Sequence, residues 1–415
     1  MSENKSNIKV LLKKGVKIPN PDSVEIGDDI NTDRISGENV LIHSGCKIYG
    51  NSTLIMQGTK IGYEGPAIVE NCQIGPDVEL KSGFFSNAVF LGKSSMGSGS
   101  HVREGTILEE EASAAHTVGL KQTILFPFVT LGSLINFCDC FMSGGTNRKN
   151  HSEVGSSYIH FNYTPNQDKA TCSLMGDVPN GVMLNQRPIF LGGQGGLVGP
   201  CRLAFGTTIA AGSINRKDEL RMGHLLFEGT KKGGSIPFTP GKYQNVKRIV
   251  NNNVIYIANL IALDQWYKHV RSVFISDMFP EALLDGLREK LNIGIDERII
   301  RLKGFAENVY ETIKEEGSIN RSEEPSNPLQ QKIELYTKWV GIHDVLQTLR
   351  NNEGNIESRD LFLEKIQNKI KETGKDYISL IKDLEHDTSK IGTKWLRGIA
   401  DHVVNEVLMI LSSYK

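Results

Sequence analysis

Aliphatic residues return every six positions along the first half of the chain. Ile42, Ile48 and Leu54 set the interval; Ile68, Ile74 and Leu80 repeat it, as do Met96, Val102 and Leu108. Leu191, Leu197, Leu203 and Ile209 form the longest unbroken run. Two positions before each aliphatic stands a residue that is usually small: Val40, Cys46 and Ser52, then Pro66, Cys72 and Val78, then Ser94, Ser100 and Thr106, and last Gly195, Cys201 and Thr207. Gly often follows the aliphatic, as at Ile61-Gly62, Ile74-Gly75 and Leu91-Gly92. Ordinary strands alternate with period two and do not hold a six-residue phase over several units. A triangular coil does: each hexad is a short strand and a corner, three hexads close a turn, and turns stack by parallel pairing. The aliphatic fills the interior, the small residue fits near the corner, and Gly permits the corner backbone. One turn cannot bury its inner face alone, so the coil needs several.

The pattern changes after about residue 220. Residues 221–245, with Lys231-Lys232-Gly233-Gly234 and Pro237 and Pro240, read as an extended linker. Helical spacing follows. Val250, Val254, Ile257 and Ile261 mark a long helix from Val246 to about Phe274. Pro280 opens a second, with Leu283, Leu284, Leu287 and Leu291, and 298–315 forms a third. A polar loop is expected over 318–328. Amphipathic helices are expected over 329–350, 359–371, 375–384 and about 391–413. The expected organisation is a β-helix over 1–220 with an insertion-like segment at about 139–190, a linker over 221–245 and an α-helical domain over 246–415. The fold class is mainly β with an α-helical C-terminal half.

Composition narrows the function. Lys+Arg 47 against Asp+Glu 48 leaves no basic field to recruit nucleic acid. No apolar run reaches the roughly 18 residues of a membrane span, and the lysine-rich start has no signal-peptide core, so a cytoplasmic protein is expected. Six cysteines without a C-x-x-C pair suit small buried residues better than disulfides or zinc. The 42 glycines crowd residues 27–240.

Long excursions from a regular coil are where such scaffolds carry function. The strict phase lapses over 81–95 and 109–190. The second lapse gathers Arg148, Lys149, His151, Glu153, His160, Asn162, Tyr163 and Lys169. A histidine is a suitable general base near neutral pH. His151 is the first candidate and His160 the second, with Glu153 or Asp139 to orient the ring. Arg148, Lys149 and Lys169 are candidates to hold phosphates, and Asn162 and Tyr163 to line a substrate site. In Gly192-Gly193-Gln194-Gly195-Gly196, the backbone N–H groups of Gly193, Gly195 and Gly196 are candidates to cradle a cofactor phosphate, although corner glycines are also what a coil demands.

The hexad pattern resembles the hexapeptide-repeat, left-handed parallel β-helix proteins, which are mostly acyltransferases and typically trimers. Ser152-Glu153-Val154-Gly155, Phe161-Asn162-Tyr163-Thr164-Pro165-Asn166, Lys169-Ala170-Thr171 and Gly176-Asp177-Val178 resemble, locally, the acetyltransferase half of the bifunctional N-acetylglucosamine-1-phosphate uridyltransferases. Thr164-Pro165 replace that family's Asp-Gly. The place matching its catalytic His falls near Asp139 and Cys140. The chain as a whole resembles bacterial UDP-N-acetylglucosamine pyrophosphorylase-like proteins, but lacks an N-terminal GxGTRM-type loop. Gly144-Gly145-Thr146-Asn147-Arg148 echoes that loop only within the β-helix half.

The resemblance implies a transferase moving an acyl group, acetyl above all, from a coenzyme A thioester to a sugar phosphate or nucleotide sugar, with no metal and as a homotrimer. Two alternatives stand beside it: a sugar nucleotidyltransferase or other UDP-N-acetylglucosamine-related enzyme, and a non-catalytic nucleotide-sugar-binding or scaffold protein. The γ-class carbonic anhydrases use a similar coil with three zinc-bound histidines. His101, His116, His151 and His160 suffice in number, but not in that family's spacing.

Overall fold

In the computed structural model, which describes residues 3–166, 168–227, 243, 245–315 and 326–414, the first half is a parallel β-helix of about 11 turns. It is the hexapeptide-repeat, left-handed coil that the spacing implies. The first of its three faces is a ladder of ten short strands running from Leu41–Ile42 to Leu225–Leu226. The second runs from Glu25–Ile26 through Ser100–Val102 and Ile159–Phe161 to Ile214–Asn215. The third runs from Leu54–Ile55 through Thr106–Leu108 and Ser173–Met175 to Arg202–Leu203. Two longer strands, Gly119–Leu125 and Asn136–Met142, bend round the corner between the second and third faces. They do so at Gln122 and Asp139, whose φ angles are 50° and 62°.

The interior is as expected where the phase is strict. Met96, Val102 and Leu108, and Leu191, Leu197, Leu203 and Ile209, are all enclosed, as are the cysteines, all six of them unpaired. Two early registers slip by one residue. Ile55 and Val69 point inward in place of Leu54 and Ile68, and Thr53 and Ala67 replace Ser52 and Pro66 in the small slots. The slip absorbs early turns longer than three hexads: Leu41 pairs with Lys60, whereas Ser95 pairs with Ser113.

The lapses in phase are mostly not insertions. Residues 81–95 stay in the coil as strands Gly83–Ser86 and Ala88–Phe90, and 109–142 continue it. The segment expected as an insertion over 139–190 therefore begins inside a coil strand. The true excursions are a hairpin at 145–151, a loop across 162–172 and a short helix at Val178–Gly181.

Helix α1 (Glu3–Lys14) was not expected from the lysine-rich start. It covers the first turn with Ile8 and Leu11, and Lys14 Nζ donates to the Thr32 carbonyl at 3.0 Å. With α2 as Val178–Gly181, the helical half comprises α3 (Val246–His269), α4 (Glu281–Glu315), α5 (Asn327–Thr337), α6 (Trp339–Leu349), α7 (Ile356–Thr373), α8 (Tyr377–Lys382) and α9 (His386–Ile410). The two helices expected over 280–315 are one, α4, and the one expected over 329–350 is two. The linker and polar loop lie largely outside the described residues. The helices lie along the coil's third face rather than closing its end: α4 packs on Gln73–Ile74, Ala88–Phe90 and Thr106–Leu108. Gly286 permits the approach, since a Cβ there would lie 2.8 Å from the Gln73 side chain. Among the described residues, no helix is long and apolar enough to cross a membrane.

Candidate functional site

The sequence-predicted residues fall on three different edges of the prism. At the edge from third to first face, Gly144 and Gly145, with φ of 105° and 100°, lead into the hairpin. At its turn Lys149 is exposed. Arg148 folds back onto the coil: Nη1 donates to the carbonyls of Glu111 and Phe128 at 2.9 and 3.1 Å and to Thr130 Oγ1 at 3.0 Å. Its guanidinium fastens the hairpin to the coil through Nη1. His151 is half-buried, with Nε2 3.9 Å from Glu153 Oε2, an ion-pair distance beyond hydrogen-bond reach. Its enclosed Nδ1 has no hydrogen-bond partner among the described residues.

At the edge from second to third face, the loop resembling the Asn-Tyr turn uses much of its hydrogen bonding internally. Thr164 Oγ1 donates to Asp168 at 2.5 Å, and Thr171 Oγ1 donates to the Asn162 carbonyl at 2.9 Å. Asn162 reaches Asp139 at 3.4 Å, and Arg298 of α4 donates to the Lys169 carbonyl at 3.2 Å. Tyr163 is exposed and the Lys169 side chain half-buried. The helical half covers this edge.

His160 points into the coil. Its Nδ1 lies 2.6 Å from the Cys138 carbonyl, so that nitrogen carries the proton. Nε2 accepts from Ser173 Oγ at 2.7 Å, and Ser173 in turn accepts from the Cys201 N–H. Burial pushes its pKa down to about 4, against the pull of Asp139. A base walled in this way has no route to a substrate, so the geometry corrects the expectation of a catalytic His160.

At the edge from first to second face, the Gly192–Gly196 run serves stacking. A Cβ at Gly193 would lie 2.8 Å from the Ser156 carbonyl, one at Gly195 the same distance from the Ser213 carbonyl, and one at Gly196 2.4 Å from Cε2 of Phe161. The glycines of the expected phosphate cradle, Gly193 and Gly195 at the corner and Gly196 at the start of the strand Gly196–Val198, are thus accounted for by close packing within the coil. The four histidines considered for zinc are separated within the chain. His101 stacks on Phe84 on the second face, His116 bonds Ser133 at a corner, His151 is in the hairpin and His160 is inside. Among the described residues, no three His, Cys, Asp or Glu side chains cluster as for a metal.

The recess best suited to a small polar ligand was not legible in the sequence. It holds about 550 Å³ between the third face and helices α2, α3 and α9. Asp177 and Asn180 line it, locked together by bonds of 2.8 to 2.9 Å, as do Arg202, paired with Asp218 at 3.3 Å, and Arg397 and Asp401 of α9. Phe205 gives it an apolar wall. Gln186 also lines it, and its carbonyl accepts from Gly145 at the base of the His151 hairpin. Asp177 falls in the stretch resembling the acetyltransferase half; Arg397 and Asp401 are far away in sequence, and nothing local marks them.

No family model matches the chain. It is similar to the Bifunctional protein GlmU of Thermotoga petrophila, 26% identical over 222 residues, which cover 51% of this chain and 42% of that one. The protein of the same name from Thermotoga maritima is 28% identical over 189 residues, 43% of this chain and 38% of that one. The one from Acinetobacter baumannii (strain AYE) is 26% identical over 235 residues, 52% and 42%. The chain thus spans less than half the length of the curated relatives it matches. The chain is thus a parallel β-helix protein with a helical second half, similar to bifunctional GlmU proteins over about half of its length.

Proposed function

We propose that the protein is a transferase that moves an acyl group, acetyl first, from a coenzyme A thioester to a sugar phosphate or nucleotide sugar. The similarity to bifunctional GlmU proteins over about half of the chain carries this reading. The recess of about 550 Å³ is the proposed acceptor site: its size suits a sugar phosphate, and Arg202 and Arg397 offer cations, Asp177, Asn180 and Gln186 hydrogen bonds to hydroxyls. His151 is the proposed base, on the hairpin whose root Gln186 shares with the recess. It takes the proton from the acceptor amine or hydroxyl as that atom attacks the thioester carbonyl. The C–S bond then breaks, and the thiolate leaves with the proton.

Copies of the chain are proposed to associate through the second face, as a trimer. Ile159 and Phe161 are exposed there at 42% and 39%, and Leu134 at the adjoining corner at 53%; light scattering measures the mass.

The test of the function is a melting-temperature and turnover screen with acetyl-coenzyme A, UTP, UDP-N-acetylglucosamine and glucosamine 1-phosphate. A ligand in large excess over its Kd raises the melting temperature by mass action. Stabilisation by acetyl-coenzyme A with release of free thiol is expected. Pyrophosphate release from UTP would favour nucleotidyl transfer. Stabilisation by the nucleotide sugar with no turnover would favour a binding protein.

A further inference from the structure

A second recess, of about 380 Å³, lies higher on the coil, where the corner around Glu110 meets the segment after α3 and the start of α8. Its chemistry is unlike that of the first. Arg271 lines it while being 1% exposed, its guanidinium held between the rings of Tyr377 at 3.8 Å and Phe279 at 4.3 Å. Nη2 meets Glu110 Oε1 at 2.5 Å. Nε and Nη1 of Arg271 are buried without a hydrogen-bond partner among the described residues, and so is Glu110 Oε2. Buried polar atoms are nearly always satisfied, and each one left bare costs stability. Here buried donors on a permanent cation and a buried acceptor on a carboxylate go unpartnered on two residues that line one cavity.

We infer that this recess is a binding site for a small molecule that carries one compact anionic group beside an ammonium or hydroxyl donor, an amino acid or a hydroxy acid. The anion would take the free guanidinium N–H groups, and the donor would take Glu110 Oε2. The rings of Phe279 and Tyr377 fix the guanidinium and exclude water around it, which strengthens both contacts. The rest of the lining selects the charge. Lys93 and Lys375 are offset by the carboxylates of Asp77 and Glu111, so a polyphosphate would gain little and meet repulsion. The volume suits a molecule of this size. The site shares no lining residue with the proposed acceptor recess, and its failure would leave that reading standing.

The experiment is calorimetric titration of the full chain with a panel of common amino acids and three- to six-carbon hydroxy acids, with inorganic phosphate and pyrophosphate for comparison. Ser379→Trp serves as the blocking variant. Ser379 lines the recess from an exposed position on α8, so the change occupies the recess while leaving Arg271 and Glu110 themselves unaltered. Saturable binding of at least one amino or hydroxy acid, weakened about tenfold or more by Ser379→Trp, is the expected result. The inference is overturned if no panel member binds, if binding is unchanged in the variant, or if only phosphate or pyrophosphate binds.

Discussion

Arg298 Nη2 meets Asp139 Oδ1 at 2.7 Å, and the side chains are 2% and 5% exposed. Asp139 stands at a coil corner with φ of 62°, a conformation that short polar residues tolerate. Arg298 comes from α4, so the pair clamps the helical half to the coil. Removing one partner strands the other as a buried charge, which costs about 3–5 kcal/mol. Arg298→Met should lower the unfolding free energy by that order in urea titration. Adding Asp139→Asn, which keeps the corner conformation accessible, should restore a sizeable part. A double variant no more stable than the single would show that packing, not the stranded carboxylate, sets the cost.

Glu109 is buried beneath the same interface and accepts from the Tyr267 hydroxyl at 2.6 Å. Burial pushes its carboxyl up to about 7, and the Glu110 charge adds to the rise, while Arg271 and Tyr267 oppose it. The folded state therefore holds a proton that the unfolded state has released between about pH 4.5 and 7. On this account stability falls as pH rises through that window, by at most about 1.4 kcal/mol per unit. Glu109→Gln should flatten the fall, and the variant should exceed the natural chain at pH 8. Parallel stability curves for the two proteins would contradict this.

His160 acts with the opposite sign. Its pKa is depressed to about 4, so the folded state resists a proton that the unfolded state takes up near 6.5. Ser173 Oγ already accepts from Cys201, and a protonated Nε2 would leave it with a second donor in place of an acceptor. Stability from this residue is lost as pH falls from about 6.5 toward 4. His160→Gln should be less stable at pH 7 and lose less on going to pH 5. An unchanged acid slope would mean that other groups govern acid unfolding.

The strict hexads were legible because the coil's interior tolerates only aliphatics at a fixed period, as at Leu191 to Ile209. The slips at Ile55 and Val69 were not, because one extra corner residue moves the phase without changing composition. The candidate site was legible only as residue types. Arg148 and Asn162 look like ligand residues in sequence, yet Arg148 bonds carbonyls of neighbouring turns and Asn162 bonds Asp139. His160 sits in a coil strand, where the alternation of Ile159, His160 and Phe161 turns it to the interior, whereas His151 sits in the hairpin that leaves the coil. Arg298 and Arg397 carry no local signal at all, and Arg271 shows only as the end of the basic run Tyr267-Lys268-His269-Val270-Arg271, which reads as a solvated helix end. Their roles exist only once α3, α4 and α9 lie along the third face.

His151 gives the sharpest test of catalysis. Its Nδ1 is enclosed, its Nε2 lies 3.9 Å from Glu153, and it alone of the two expected bases borders solvent. A positioned general base contributes about 10²–10⁴-fold. His151→Asn should lower kcat for acyl transfer by that order, with little change in KM for the thioester, because the residue acts on the acceptor's proton. Glu153→Gln should cost less, since a carboxylate at 3.9 Å can steady the imidazolium but does not hold the ring by a hydrogen bond. His151→Asn with undiminished kcat would remove His151 from the mechanism. The search for the base would then pass to the acceptor recess, where Asp177 and Asp401 are the titratable oxygens.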